Sequence, residues 1–150
     1  MNWDAIGAIG EIVGALAVVT SLIYLAVQIR QSNNLARANA HENATVHWRE
    51  VSSPLLQREF AELYIQGRDN FLNMDEPDQI RFWIMFSNLL FEFETVLEKQ
   101  NRGFIDESFV KPYEDYFREL MKSPGIQQYF EEKLSSHSEV LVAWIEENKA

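Results

Sequence analysis

The chain has 150 residues, of which 47% are hydrophobic, and it carries a formal net charge of −10 with no cysteine. This length allows one membrane anchor and at most one small domain with its own core. The acidic balance argues against nucleic acid and anionic lipid headgroups as partners, because both are negatively charged. Without cysteine, disulfides, thiolate metal sites and cysteine nucleophiles are excluded.

The first predicted element is a membrane-spanning helix. Residues 5–27 form a run of 23 residues with one charge, Glu11, and eleven Ile, Leu or Val. A helix of that length spans ~35 Å, enough for the ~30 Å hydrocarbon core of a bilayer. The run is too long for the apolar part of a signal peptide and no basic side chain precedes it, so we expect an uncleaved anchor over residues 1–30. The alternative is a buried core helix of a soluble protein.

The charges that flank the anchor predict its orientation. The basic residues Arg30, Arg37 and Arg49 follow the apolar run, whereas only the amino terminus is basic before it. By the positive-inside rule, a single-pass protein with this pattern keeps its C-terminal domain in the cytoplasm.

Small residues recur along one side of the predicted anchor, at alternating spacings of three and four: Gly7, Gly10, Gly14, Ala17 and Ser21. In lipid, close backbone approach across small residues is a principal source of helix association. The period of ~3.5 favours a left-handed packing seam. The stripe predicts self-association or packing on another membrane protein, although glycine is also simply frequent in membrane helices.

Glu11 lies beside this small-residue stripe and within the apolar run. An ionised carboxylate inside hydrocarbon is costly, so it should be protonated, paired or turned towards a polar environment. Three interpretations follow: an interhelical hydrogen bond that fixes register, proton or cation handling in an oligomeric pore, or a side chain that reaches back to the N-terminal interface.

Residues 31–53 are predicted to form a helical connector, because neither glycine nor proline interrupts them. An uninterrupted helix and a kink or loop near Gln31–Asn34 are both compatible with this segment. Residues 54–150 then predict a small antiparallel helical bundle, which makes the fold all-α. Its first helix is expected over Leu55–Arg68 and is closed by Gly67, and two later helices are expected over residues 107–122 and 126–134. A final helical segment over residues 139–147 is either separate from the helix before it or continuous with it.

The longest helix of the bundle is predicted over Glu76–Asn101, with Asp75 as its N-cap and Gly103 beyond its end. Its apolar residues cover roughly two-thirds of the circumference, which predicts a central helix packed on two sides. The outer members of this apolar arc are Ile80, Ile84 and Phe91, and the remaining polar strip contains Arg81, Asn88, Glu92 and Lys99.

Glu94 falls inside the apolar arc of the same helix. A carboxylate in such surroundings is expected to be protonated or to have a partner. It could be a hydrogen-bonded or arginine-paired residue that ties helices together, or a carboxylate in a ligand or catalytic pocket. A misplaced helix axis is the third interpretation.

No catalytic or cofactor motif stands out. The three histidines, His41, His47 and His137, do not supply the Glu-x-x-His set of a di-iron bundle. GxSxG, P-loop, HExxH and GxGxxG patterns do not occur. We therefore predict a protein that is not an enzyme and has no metal or cofactor.

Several blocks resemble a large bacterial family of uncharacterised function, frequent in marine proteobacteria. The matching blocks are Asn2–Gly14, Ser21–Gln31, Arg81–Phe82, Glu94, Gly103–Asp106 and Pro124–Gly125. The resemblance implies a single-pass anchor in the bacterial inner membrane and a helical C-terminal domain. It implies no activity, ligand or catalytic residue.

Three classes of function follow. The first is a membrane-anchored interaction or scaffold protein that associates through the small-residue stripe with a second copy or another membrane protein. The second is a subunit of an ion- or proton-conducting assembly that uses Glu11. The third is an enzyme or small-molecule sensor with a pocket near Glu94.

Overall fold

The computed structural model describes residues 3–148, so the outermost residues of the predicted anchor and bundle, with Asn2 of the first matching block, lie outside it. Within this range the fold is all-α, as predicted, and no strand occurs. Three short 3-10 turns interrupt the chain of helices. The six helices are α1 (Trp3–Ser52), α2 (Arg58–Asn70), α3 (Glu76–Asn101), α4 (Glu107–Leu120), α5 (Pro124–Lys133) and α6 (Glu139–Asn148).

The chain divides into two compact units, residues 1–38 and 39–150. The first unit contains the apolar part of α1, in which residues 7–35 are all exposed. An 18-residue window there has a mean hydropathy of 2.2, and none of it is buried. This helix is therefore long and apolar enough to cross a membrane. It is not a core helix of the kind that the soluble alternative requires.

The predicted connector contributes to the core of the second unit. Helix α1 continues through Gln31–Asn34, so the alternative of a loop there is wrong. Further along, Ala40 and Ala44 are buried among the core residues. Trp48 packs edge-on against Tyr113, with 5.0 Å between the ring centroids.

Helix α3 is the central element of the second unit and packs against α2, α4 and α6. The predicted ends are confirmed. Asp75 caps the start, since its carboxylate accepts a hydrogen bond of 3.0 Å from the backbone N–H of Asp78. At the other end Gly103 adopts φ 73°, and the N–H of Phe104 donates to the carbonyl of Lys99 at 2.9 Å. This is the Schellman arrangement, which requires a left-handed residue at that position.

The buried face of α3 differs from the predicted one. Ile80, Ile84 and Phe91 are 47%, 56% and 49% exposed, so the prediction that they extend the buried arc is wrong. Glu92, which the sequence places on the polar strip, is buried instead. Periodicity gives the spacing of a face but not its partner, and here the second half of α1 covers the Glu92 side through His47.

Two glycines hold α2 close to its neighbours. Gly67 does not end a helix as predicted, because α2 continues to Asn70. A Cβ atom at Gly67 would overlap the ring of Phe82, and one at Gly125 would overlap the carbonyl oxygen of Gly67. Both positions require glycine because neighbouring elements approach the backbone closely there. Glycine therefore serves helix packing at these positions and does not end a helix.

Candidate functional site

The small-residue stripe lies on the exposed part of α1. A Cβ atom added at Gly7, Gly10 or Gly14 would meet nothing within 4 Å. Ala17 and Ser21 continue the stripe and are likewise exposed. The stripe is thus uncovered by any other described part of the chain, and its shallow surface is accessible to a second helix.

The polar groups of this segment differ in whether they are satisfied. The hydroxyl of Ser21 donates to the carbonyl of Ala17 at 2.8 Å, and Thr20 makes the equivalent bond to Leu16. These hydroxyls can therefore enter an apolar medium without an unpaired donor. Glu11, in contrast, has no hydrogen-bond or ion-pair partner among residues 3–148. It is the one acidic or basic residue of the apolar run.

Glu94 is hydrogen-bonded inside the bundle. Its Oε1 atom lies 3.0 Å from Nδ1 of His137 and accepts a second bond of 3.2 Å from the backbone N–H of Ser138. Ser138 directly precedes α6, and its Oγ atom accepts from the N–H of Leu141. The carboxylate therefore lies at the N-terminal end of α6, where the helix dipole favours negative charge. The partner is a histidine and not an arginine.

The hydrogen bonds continue from His137 to two further side chains. Nε2 of His137 lies 3.2 Å from the hydroxyl of Tyr129, which in turn lies 2.9 Å from Oγ of Ser87. Because the Glu94 carboxylate can only accept, Nδ1 of His137 carries a proton. In the neutral imidazole, Nε2 then accepts from Tyr129, whose oxygen accepts from Ser87. This buried network joins α3, α5 and the segment before α6 with a donor opposite each acceptor.

The surroundings of this network argue for a structural role. The side chain of His137 is only 1% exposed, and Tyr129 is fully buried. Burial raises the pKa of the Tyr129 phenol, so this group is a hydrogen-bond donor rather than a phenolate nucleophile. Two cavities of the second unit, of about 940 and 530 Å³, are lined by other residues. A catalytic or ligand pocket at Glu94 therefore gains no support from these cavities.

Glu92 is the buried carboxylate that the sequence analysis missed. Its Oε2 atom lies 3.6 Å from Nδ1 of His47, which is half-exposed, whereas its Oε1 atom is buried with no hydrogen-bond partner. Burial raises the pKa of Glu92, and the charges of His47 and Lys99 oppose this shift. The sequence contains a signal for this position, because Met85, Leu89 and Val96 lie seven residues before, three before and four after it, on the same side of α3.

No metal centre is evident. Within residues 3–148, no group of three or more His, Asp or Glu side chains is arranged to hold a metal ion. No protein-family model, curated protein or solved structure matches the chain. The resemblance stated from the sequence blocks therefore stays a prediction.

Proposed function

We propose that this protein is a membrane-anchored helical interaction protein. The apolar part of α1 crosses the bacterial inner membrane once, and the bundle lies on the cytoplasmic side. The small-residue stripe from Gly7 to Ser21 packs against the same stripe of a second copy or against another membrane protein. No catalytic step is part of this function.

The exposure of the apolar run carries this proposal. From Gly7 onward its side chains lie outside any core, although the window has a mean hydropathy of 2.2. Contact with water is unfavourable for apolar surface by about 25 cal/mol per Å². A lipid environment removes that cost, and every backbone N–H and C=O in the middle of α1 is satisfied within the helix, as hydrocarbon requires.

Extraction of isolated membranes with alkaline carbonate tests the anchor. We expect the full chain to stay in the membrane pellet and to be released only by detergent. Recovery of the intact protein in the carbonate supernatant would contradict the anchor.

The absence of native cysteine allows a direct test of the packing seam. A single Ala17→Cys variant introduces a thiol on the stripe, and Val19→Cys introduces one about 200° further around the helix. If the seam packs against a second copy, Ala17→Cys should form disulfide-linked dimers in oxidised membranes and Val19→Cys should not. Adding Gly10→Leu and Gly14→Leu should lower dimer formation at least about tenfold, since close approach is then blocked.

The control for size and composition is Val19→Leu, an apolar change on the opposite side of the same helix, in the Ala17→Cys background. It should leave dimer formation unchanged. Equal crosslinking at positions 17 and 19, or no loss with the leucines at positions 10 and 14, would contradict self-association through the stripe. A crosslink from position 17 to a different membrane protein would instead identify a heterologous partner on the same seam.

A further inference from the structure

The larger cavity of the second unit lies where the end of α4 meets α5 and α6. It has a volume of about 940 Å³, within the range of ligand pockets. Buried Phe130 and Ile145 form its apolar part together with the partly buried Met121, Leu134 and Val142. Such a surface can take up the apolar body of a small molecule. The charges at the rim decide which kind.

The two basic side chains at the rim are already neutralised. The guanidinium of Arg118 uses all three of its nitrogens: Nε donates to Asn148 at 2.8 Å, Nη1 to Asp115 at 2.7 Å and Nη2 to Glu114 at 3.1 Å. Nζ of Lys122 donates to Glu119 at 2.6 Å. An anionic ligand would have to compete with these carboxylates for either cation.

Two carboxylates at the same rim are free. Glu131 and Glu132 are exposed and line the cavity, and neither makes a hydrogen bond or ion pair with another described residue. The chain as a whole carries a net charge of −10, so the surrounding field also attracts cations. The uncompensated charge of the cavity is therefore negative, next to an apolar floor.

We propose that this cavity binds an amphipathic organic cation. The apolar body of the ligand packs on Phe130, Val142 and Ile145, and its positive group lies at Glu131 and Glu132. The site belongs to the second unit alone and is independent of the proposed association through α1, so either proposal can fail without the other.

Two ions of nearly equal size and opposite charge test this proposal: tetraphenylphosphonium and tetraphenylborate. The full chain in lipid nanodiscs is titrated with each ion, and binding is followed by the methyl NMR signals of Leu134, Val142 and Ile145. Partition of either ion into lipid does not produce a saturable shift at these methyl groups. We expect saturable shifts with the phosphonium and at least about fivefold weaker binding of the borate. The reason is that the carboxylates of Glu131 and Glu132 attract the cation and repel the anion.

Charge removal at the rim provides the second comparison. The double variant Glu131→Gln and Glu132→Gln should bind the phosphonium at least about fivefold more weakly than the unchanged protein does. The difference in affinity between the phosphonium and the borate should also become smaller. The matched control is Glu42→Gln with Glu107→Gln, which gives the same net charge by changing exposed residues that do not line the cavity. This control should bind as the unchanged protein does.

A third variant, Val142→Trp, places an indole across part of the apolar floor of the cavity and should weaken the phosphonium binding that the shifts of Leu134 and Ile145 report. If this variant does not fold, the glutamine pair decides, since it alters only exposed side chains. Equal binding of the two ions, an undiminished phosphonium affinity in the glutamine pair, or no saturable shift at the three methyl groups overturns the proposal.

Discussion

Two glutamates on α3, two residues apart, meet opposite conditions. Glu94 accepts two hydrogen bonds, from His137 and from the backbone of Ser138 at the start of α6. Glu92 is more deeply buried than Glu94, yet one of its oxygens has no partner and the other lies 3.6 Å from a half-exposed His47. The carboxylate of Glu94 is thus held by two donors, whereas that of Glu92 has only the more distant and partly hydrated imidazole of His47.

The comparison shows that burial alone does not say what a carboxylate contributes. When a buried carboxylate has its donors in place, the hydrogen bonds offset the cost of desolvating both the carboxylate and the donors. A buried carboxylate without them destabilises the fold, and replacement by an apolar side chain is then often neutral or favourable. The two positions allow a test with the same substitution on the same helix.

The largest effect is expected for Glu94→Leu. This change leaves Nδ1–H of His137 and the N–H of Ser138 without an acceptor, at a cost of about 3 kcal/mol in the free energy of unfolding. Urea unfolding of the full chain in a mild non-ionic detergent, followed by near-ultraviolet circular dichroism, measures this loss. Glu94→Gln is the control, because its amide oxygen can still accept, and it should retain most of the stability. A loss below about 1 kcal/mol for Glu94→Leu would show that the network contributes little.

A smaller effect of opposite sign is expected for Glu92→Leu. This change removes the unpaired buried oxygen, while His47 keeps access to water, so the free energy of unfolding should rise by about 1 kcal/mol near pH 7. The same unfolding measurement compares the two leucine variants directly. If both leucines destabilise the bundle to a similar extent, the distinction between the two sites is wrong.

The smallest effect concerns the dependence of stability on pH. Burial raises the pKa of Glu92 above its ordinary value of 4.5, so the folded chain holds this proton more tightly than the unfolded chain does. The contribution of this tighter proton binding to the free energy of unfolding is fully present below pH 4.5 and is lost as the pH rises through the raised pKa of Glu92. The charged and titratable groups that face Glu92 are His47, Glu50, Lys99 and Tyr113.

The glutamine in Glu92→Gln cannot titrate, so the free energy of unfolding of this variant should fall less between pH 5 and pH 7 than that of the unchanged chain. The difference between the two falls should be less than about 1 kcal/mol. Urea unfolding at intervals across this range provides the measurement. Glu98→Gln serves as a control on the same helix, because that side chain is half-exposed and pairs with Arg102 at the surface. Parallel pH profiles for Glu92→Gln and the unchanged chain would contradict the assignment.

Local signals in the sequence were sufficient for several features. Residues adjacent in the chain determine the cap at Asp75 and the left-handed turn at Gly103, so these could be predicted. The apolar run of α1 follows from composition alone, whereas its exposure is seen only in the structure. Glu94 was identified as a carboxylate in need of a partner, because helical periodicity places it inside the apolar arc, about 40° around the helix from Leu90.

The tertiary structure decided what each of these features contacts. His137 lies 43 residues from Glu94, and His47 lies 45 residues before Glu92, so no local spacing relates them. No local spacing relates Gly67 to Phe82 either, although the ring of Phe82 lies so close to Gly67 that a Cβ atom there would overlap it.

The sequence by itself therefore determined the all-α fold, both ends of α3 and an apolar run able to span a membrane, since hydrogen bonds and hydropathy along one helix depend on near neighbours. Only the packing of α1, α5 and α6 around α3 decided that Glu92 is buried without a full set of donors and that Glu94 is satisfied. The physical reason is that a periodic pattern leaves the rotation of a helix about its axis open until its partners are in place.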